Sequence, residues 1–475
     1  MNEENSQLFR SICFHAALVV AGFEHAFVAS SATAGSNSRP PAPVFVDARF
    51  GHKPFISRNT FQRKDYTDNH WYRMISNRDH HNTRTINGRD FRNNFRIPAT
   101  FFDNIVQWYR DNGWASENTD AFLRQPVPLV CKLLASFEML GRGVPAAVPA
   151  QLIGCSQEIL REFYKEFLFN VATNLNSYIR FPQTPEEVRY CTETYAGENL
   201  PGCMGSIDCV HVPWPKAIAS LRSWYVGKEG VPTIAFQVIV DHSRRILSVS
   251  QPHPGSLNDK TIATMDSNLY AVRTLPLFTN YLWQARTAGS TNETMRGVYL
   301  ICDGGYHFWR ILQRCSVVSS NPRILHLVNR ISSARKDVEC TFGILKSRFR
   351  SLKVPILFNE VSHVKNLFLT CCIFHNMLLD HDGNEFDGRL IASDFRTSRI
   401  QISPETDFSG VRPPPPGYWL GSSSEATHVQ LRSTLADHLY FFHHPNAGAV
   451  APSTPHSTTN STEEAVSTPL TVRRL

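Results

Sequence analysis

The segment Ser332–Leu352, SSARKDVECTFGILKSRFRSL, decides how the rest of the chain is interpreted. Four of its apolar residues recur at helical spacing, namely Val338, Phe342, Leu345 and Phe349. This spacing predicts a single amphipathic helix with a buried stripe, and Ser332 or Ser333 offers the N-cap.

One acid of the predicted helix, Glu339, lies beside the buried stripe and close to several cations. The ordinary interpretation is a surface ion pair with Arg335, worth under about 1 kcal/mol. The alternative is a metal ligand that needs further acids from elsewhere, with the cations there to receive phosphates. The basic candidates for phosphate contacts are Arg335, Lys336 and Lys346.

The composition is that of a globular protein, with 42% hydrophobic and 19% charged residues among 475. The net charge of +7 favours a polyanionic partner without requiring one. The 11 cysteines include no CxxC pair, which argues against a zinc site or a disulfide framework and for a cytosolic or nuclear protein. The apolar run at residues 8–34 is interrupted by charged and histidine residues, and we expect neither a signal peptide nor a membrane span.

Changes of composition and periodicity divide the chain into five segments. They are an N-terminal extension and linker (1–52), a basic arm (53–97), a helical domain (98–200), an α/β domain (201–380) and a C-terminal extension with one helix and a disordered tail (381–475). The basic arm is either a solvated connector or a phosphate-contacting arm. Within the helical domain, VPAQLIGCSQEILREFYKEF has the pattern of a helix–turn–helix, with Gly154 in the turn and Ser156 as N-cap. Its second helix has a nearly neutral face, so a structural bundle is at least as well supported as a DNA reader.

Two further acids occur in predicted strands of the α/β domain. Asp208 lies inside the strand Met204–Val212, and Asp303 ends the strand Val298–Cys302. An unpaired carboxylate in a buried strand costs several kcal/mol, and a shared divalent metal would compensate both acids. Together with Glu339 they would form three carboxylates able to hold two Mg²⁺ ions for phosphodiester chemistry. The alternative for Asp303 is a simple turn residue before Gly304 and Gly305.

Six segments in succession resemble the motifs of PIF/Harbinger-type DDE transposases, most of all the plant-type branch, and also the Harbinger-derived nucleases. They are GSIDCVHVPW, WYVGKEGVPTIAFQVIVD, PGSLND, CDGGY, ARKDVECTFGILKSRF and CCIFHNML, and the resemblance as a whole covers roughly residues 90–380. The resemblance implies an α/β protein with an RNase H-like mixed-sheet catalytic core and an N-terminal all-α, helix–turn–helix-like domain. It also implies that Asp208, Asp303 and Glu339 are a catalytic, metal-binding triad.

The implied reaction is DNA strand cleavage and transfer at transposon ends, dependent on two Mg²⁺ ions or on Mn²⁺ in their place. Members of the family use a separate Myb-like DNA-binding partner for end recognition and nuclear import, which implies a nuclear protein; a homo-oligomer stays open. His211 and Asp259 are candidates for a supporting shell around the triad, against simpler roles in packing and helix capping. A non-catalytic, domesticated nuclear binding protein is the main alternative, and a helix–turn–helix transcription factor is disfavoured by the charge pattern.

Overall fold

The computed structural model describes residues 66–76, 78–82, 84–114, 126–287, 292–316, 319–386 and 423–444. The expected N-terminal helix and linker, the first part of the basic arm, the proline-rich spacer and the C-terminal tail lie outside these residues. In the described part of the chain no helix combines the length and the apolar content that crossing a bilayer requires.

The described chain begins with helices alone. They are α1 (His70–Ser76), α2 (Ile86–Phe95), α3 (Ala99–Asp111), α4 (Leu129–Arg142), α5 (Ala147–Ile153), α6 (Gln157–Asn174) and α7 (Pro185–Gly197). From residue 70 onward, the segment predicted as a basic arm (53–97) is therefore not a solvated connector, and its contact with phosphates stays a prediction. Its aromatic residues Trp71, Phe91 and Phe95 are buried, and their burial favours folded helices over an open segment.

Strands follow from residue 203, interrupted by further helices. The strands are β1 (Cys203–Pro213), β2 (Thr233–Val240), β3 (Ile246–Val249), β4 (His253–Pro254), β5 (Leu282–Arg286), β6 (Asn292–Arg296), β7 (Tyr299–Cys302) and β8 (Leu312–Arg314). The helices are α8 (Arg222–Tyr225), α9 (Asp259–Met265), α10 (Ser267–Thr274), α11 (Pro276–Thr279), α12 (Pro322–Ala334), α13 (Lys336–Arg348), α14 (Val361–Phe386) and α15 (Ser423–His443).

The main sheet is mixed and has the order β3-β2-β1-β7-β8, with β4 also paired to β2. The β1–β2 and β2–β3 pairs are antiparallel, whereas β1–β7 and β7–β8 are parallel. Two stretches differ from the sequence-based expectation. The sequence predicts an irregular insertion at residues 266–296, but these residues include α10, α11 and the β5–β6 hairpin. It also predicts a short helix after Asp303, where the structure has a turn followed by β8.

The helix predicted at Ser332–Leu352 is two helices, and the N-cap predicted at Ser332 or Ser333 is wrong. Asn321 caps α12 and Pro322 occupies its first turn, so helical structure begins about ten residues earlier than expected. The chain bends at Arg335, whose backbone N–H bonds to Ile331, and α13 starts with the next residue. The predicted stripe is present, because Val338, Leu345 and Phe349 are buried and Phe342 is half-buried.

Two helices separated by a short turn, α5 and α6, occupy the segment in which the sequence predicts a helix–turn–helix. Gly154 ends α5 with a φ of 75°, and the Ser156 hydroxyl accepts a bond from the Glu158 N–H. However, α6 packs its apolar face against α4 and α14. Its exposed face pairs glutamates with Arg161 and Lys165, as the nearly neutral charge pattern predicts.

The helical part and the sheet share one hydrophobic core. Phe137 of α4 lies 5.4 Å, ring centre to ring centre, from both Phe167 of α6 and Phe374 of α14. The same cluster continues to Val210 of β1 and Phe236 of β2. The sheet is thus held from one side by the N-terminal helices and α14, which fixes the position of β1 and of Asp208 within it.

Candidate active site

The register of the two central parallel strands brings Asp208 and Asp303 side by side. Ser206 of β1 is paired with Ile301 of β7. Asp208 lies two residues beyond Ser206, and Asp303 lies two residues beyond Ile301. Because side chains alternate along strands and parallel strands advance together, both carboxylates point to one face at the same level. β7 ends at Cys302, so this level is the open edge of the parallel pair.

The Asp208 carboxyl group is largely buried, and its pKa is shifted. Its side chain is only 19% exposed. The pKa of Asp208 is raised to about 6, mainly by burial; the charges of Asp303 and Asp259 also raise it, whereas the bond from the Cys209 N–H and the charge of Arg335 lower it. The Cys209 N–H donates to Oδ1 of Asp208 over 2.9 Å. The structure therefore holds a desolvated carboxylate close to two other acids.

Asp259 joins this group through the glycine turn after β7. The N–H of Gly305 donates to Oδ1 of Asp303 over 2.7 Å. A Cβ built on Gly305 would stand 3.0 Å from that oxygen and 3.2 Å from Oδ2 of Asp259. The two carboxylates therefore converge on Gly305. Asn258, not Asp259, supplies the N-cap of α9, so capping does not account for the Asp259 side chain.

We expect Gly305→Ala to lower the activity of this site about tenfold without unfolding the protein. The added methyl group would push the Asp303 and Asp259 carboxylates apart by a few tenths of an ångström, and site geometry is sensitive to such shifts. Gly297→Ala is unsuitable as a control because Gly297 has a φ of 86°, whereas Gly197→Ala meets no neighbour and serves that purpose. Equal activity of Gly305→Ala and Gly197→Ala would show that the close approach of the two carboxylates to Gly305 is not needed for function.

Arg335 connects Asp208 to Glu339. Its Nη1 donates to Oδ2 of Asp208 over 3.2 Å, and its Nη2 donates to Oε1 of Glu339 over 2.5 Å. The Arg335 side chain is 16% exposed and the Glu339 side chain 49% exposed. Burial alone would lower the pKa of Arg335, but the charges of Asp208 and Glu339 outweigh it and raise that pKa. The ion pair considered for Glu339 is thus present, and the same guanidinium also holds a second acid of the predicted triad.

The donor atoms fit a hard divalent cation, although the site is not formed for one as it stands. Carboxylate oxygens are the ligands that Mg²⁺ and Mn²⁺ prefer. Within the described ranges, no three His, Cys, Asp or Glu side chains are close enough together to hold a metal ion. The guanidinium between Asp208 and Glu339 supplies the positive charge there instead. Gathering all three carboxylates around a cation requires Arg335 to leave this position.

The remaining predicted residues are placed less centrally. His211 lies three residues after Asp208 and so points to the opposite face of β1, where its Nδ1 lies 3.0 Å from the Thr233 hydroxyl. The ammonium of Lys346 donates to the main-chain carbonyl of His211 over 3.2 Å, and burial lowers the pKa of Lys346. Lys346 is therefore partly engaged within the protein, whereas Lys336 is exposed.

Two residues near the acids were not singled out from the sequence. The Sγ of Cys209 lies 3.6 Å from the hydroxyl of Tyr306, and Tyr306 is fully buried. Burial raises the pKa of both groups, and the nearby Asp259 raises that of Cys209 further. Their positions directly after Asp208 and Gly305 were the available signal. Both groups lie near Asp208 and Asp259, whose charges act on each of them.

Comparisons with known proteins support the resemblance seen in the motifs. Residues 176–386, which contain Asp208, Asp303 and Glu339, match a family model described as plant transposon protein. "Protein ALP1-like" of Arabidopsis thaliana is 22% identical over 307 residues, covering 62% of this chain and 71% of the relative. "Putative nuclease HARBI1" of Homo sapiens is 24% identical over 259 residues, covering 54% and 67%. No solved structure matches. These matches support the resemblance of the chain to PIF/Harbinger-type transposases and transposase-derived nucleases.

Proposed function

We propose that this protein is a divalent-metal-dependent DNA endonuclease and transposase that cuts and joins DNA strands at transposon ends. The observation that carries the proposal is the grouping of Asp208, Asp303 and Asp259 at the open edge of the β1–β7 pair. Keeping several carboxylates charged close together in a desolvated site costs free energy, and a bound cation removes that cost. Structural ion pairs do not need three acids at one strand edge.

The proposed roles follow from where each side chain is attached. Asp208 and Asp303 belong to the rigid sheet and would hold the metal ions, with Asp259 beside them. Glu339, half-exposed on α13, would complete the set once Arg335 has moved. Divalent ions bound there would supply activation of the attacking oxygen and stabilisation of the leaving oxygen. Arg335, released from Asp208, would be free to bond a phosphate oxygen in a charge-assisted, forked geometry.

Several wider features belong to the same proposal. The mixed sheet, with three antiparallel strands followed by two parallel ones, would be the RNase H-like core that the resemblance implies. The helix pair α5–α6 would be the remnant of a helix–turn–helix, with much of the end recognition left to a Myb-like partner protein in the nucleus. The packing of α6 against α4 and α14, and the neutral ion pairs on its exposed face, are consistent with that division of labour.

The direct test is a strand-cleavage assay of the full chain on DNA carrying the terminal repeats of its element, with and without the Myb-like partner. We expect nicks at the repeat boundary in Mg²⁺ or Mn²⁺ and none after chelation with EDTA. Asp337→Asn is a suitable active control, because Asp337 also lies on α13 but bonds His242 over 2.7 Å, away from Asp208. Cleavage that persists in EDTA, or its absence under all conditions, would contradict the proposal.

A second candidate, a non-catalytic DNA-binding descendant, is favoured by one observation. Arg335 neutralises Asp208 and Glu339 at once, so the acids are partly satisfied without any metal. A calorimetric Mn²⁺ titration separates the two candidates. The nuclease predicts heat from binding that Asp303→Asn removes, whereas the non-catalytic descendant predicts no specific uptake.

A further inference from the structure

A groove of about 660 Å³ runs along α13. Four arginines from three different parts of the chain line it: Arg92 and Arg96 at α2, Arg244 in the β2–β3 turn, and Arg348 at the end of α13. Among the described residues that line this groove, none is acidic. Three separate segments of the chain thus contribute positively charged side chains to the groove.

The structure compensates this charge only in part. Oδ2 of Asp382 lies 2.6 Å from Nη2 of Arg92 and 3.9 Å from Nη2 of Arg348. Nη1 of Arg348 and Nε of Arg96 are buried and have no hydrogen-bond partner among the described residues. Burial lowers the pKa of Arg348, and the nearby Arg92 lowers it further against the opposing charge of Asp382. An anion bound in the groove would relieve this desolvated excess of charge.

The floor of the groove is open to a ligand. Gly343 lies inside α13, where glycine costs roughly 0.5–1 kcal/mol relative to alanine. Nevertheless, a Cβ at Gly343 would meet no atom within 4 Å, so packing within the protein does not require glycine there. Cys340 and Ser347, about one turn away on either side, are also small and line the same groove. Glycine at this place leaves room for a molecule to lie against the helix.

We propose that this groove binds the sugar–phosphate backbone of the DNA that leads into the candidate active site. The inference rests on the proposed function and adds the path of the substrate. Cys340, at one end of the groove, is next to Glu339, and Arg348 lies eight residues further along. At 1.5 Å per residue this is about 12 Å, which is long enough for more than one phosphate of a DNA strand. Lys336 lies on the same helical face, one turn before Cys340.

Two variants test the groove with little risk to the fold. Arg244 is exposed, and His375 contacts its main-chain carbonyl rather than its side chain, so Arg244→Gln keeps that contact. Gly343→Gln fills the floor in a place where the added side chain meets open space. Arg189→Gln is the matched control, because Arg189 is an exposed arginine of α7 that pairs with Glu193 and lies outside the groove. Thermal unfolding should show that all three variants remain folded.

The measurement is fluorescence anisotropy of a labelled duplex bound to the full chain, in EDTA, over about 50 to 200 mM KCl. Loss of one phosphate contact in Arg244→Gln should reduce the slope of log K against log salt by about 0.9. Gly343→Gln should weaken binding about tenfold or more, and Arg189→Gln should match the wild type. Binding and slopes that are unchanged in both groove variants would overturn the inference, and the groove would then serve another anion, such as an acidic protein segment.

The outcome is independent of cleavage. Since EDTA removes any metal, a reduced slope would support the groove even if the strand-cleavage assay failed. Conversely, metal-dependent cleavage by a protein whose Arg244→Gln and Gly343→Gln variants bind DNA normally would support the enzyme and reject this path for the DNA.

Discussion

Asp208→Asn is expected to abolish Mg²⁺-dependent cleavage and, at the same time, to stabilise the metal-free protein above about pH 6. Cleavage should fall by about 10³-fold or more, because a metal ligand on the central strand would be lost. The stabilising effect has a separate cause. Burial and the neighbouring Asp303 and Asp259 disfavour the charged form of Asp208, and the neutral amide of asparagine avoids that cost.

The pH dependence follows from the direction of the shift. The pKa of Asp208 is about 6 in the folded protein, above the ordinary value of 3.8. The folded state therefore binds the proton more tightly than the unfolded state, and stability decreases as pH rises from about 4 to 6. Above that range the wild type carries a penalty of at most about 3 kcal/mol. Asp208→Asn should gain about 1–2 kcal/mol there, since the amide also loses its bond from Arg335.

Chemical denaturation in EDTA near pH 4 and near pH 8 measures this effect. The two proteins should be similar in stability at the lower pH and differ at the higher one, and added Mg²⁺ should stabilise only the wild type. Asp337→Asn is the control in both assays, because Asp337 also lies on α13 but pairs with His242 of the β2–β3 turn. A variant that is less stable than the wild type at the higher pH would mean that Asp208 is already satisfied without a metal.

Much of the candidate site can be predicted from the sequence, because Asp208 and Asp303 occur in or next to segments whose apolar pattern identifies strands. The alternation in MGSIDCVHV and the apolar run before Asp303 identify two strands, and parallel pairing at equal register brings their ends together. Asp259 was harder to assign, since an acid at the start of a helix has an ordinary explanation in the helix dipole. The close approach of its carboxylate to Gly305, beside Asp303, is visible only in the structure.

The sequence could not reveal the bend at Arg335. Residues on both sides favour a helix, and their common apolar period hides the junction between α12 and α13. Tertiary contacts decide it, because Arg335 is positioned by Asp208, 127 residues earlier in the chain. For the same reason, the segment from residue 70 to Arg96 looked like a basic arm. Its charges are obvious in the sequence, whereas its burial depends on distant partners such as Asp382.

Arg335→Gln should destabilise the metal-free protein by about 1–3 kcal/mol near pH 8 and by much less near pH 5. The variant removes the cation that bonds Asp208 and leaves that buried carboxylate without compensation. Its pKa then rises further, and the cost is felt only at a pH where Asp208 is charged in the folded state. The contact with half-exposed Glu339 adds little, since solvent screens it. Mg²⁺ should therefore restore more stability to this variant than to the wild type.

A double-mutant cycle tests whether the loss of stability in Arg335→Gln comes from the ion pair between Arg335 and Asp208. In an Asp208→Asn background there is no buried charge to compensate, so Arg335→Gln should cost less than it does in the wild type. Arg335→Lys, which keeps the charge but not the forked geometry, should fall between the wild type and Arg335→Gln. Equal losses at both pH values, or additive effects in the cycle, would show that Arg335 acts through packing alone. Coupling that disappears when Mg²⁺ is added would identify Arg335 as the cation that occupies the site between metal-binding events.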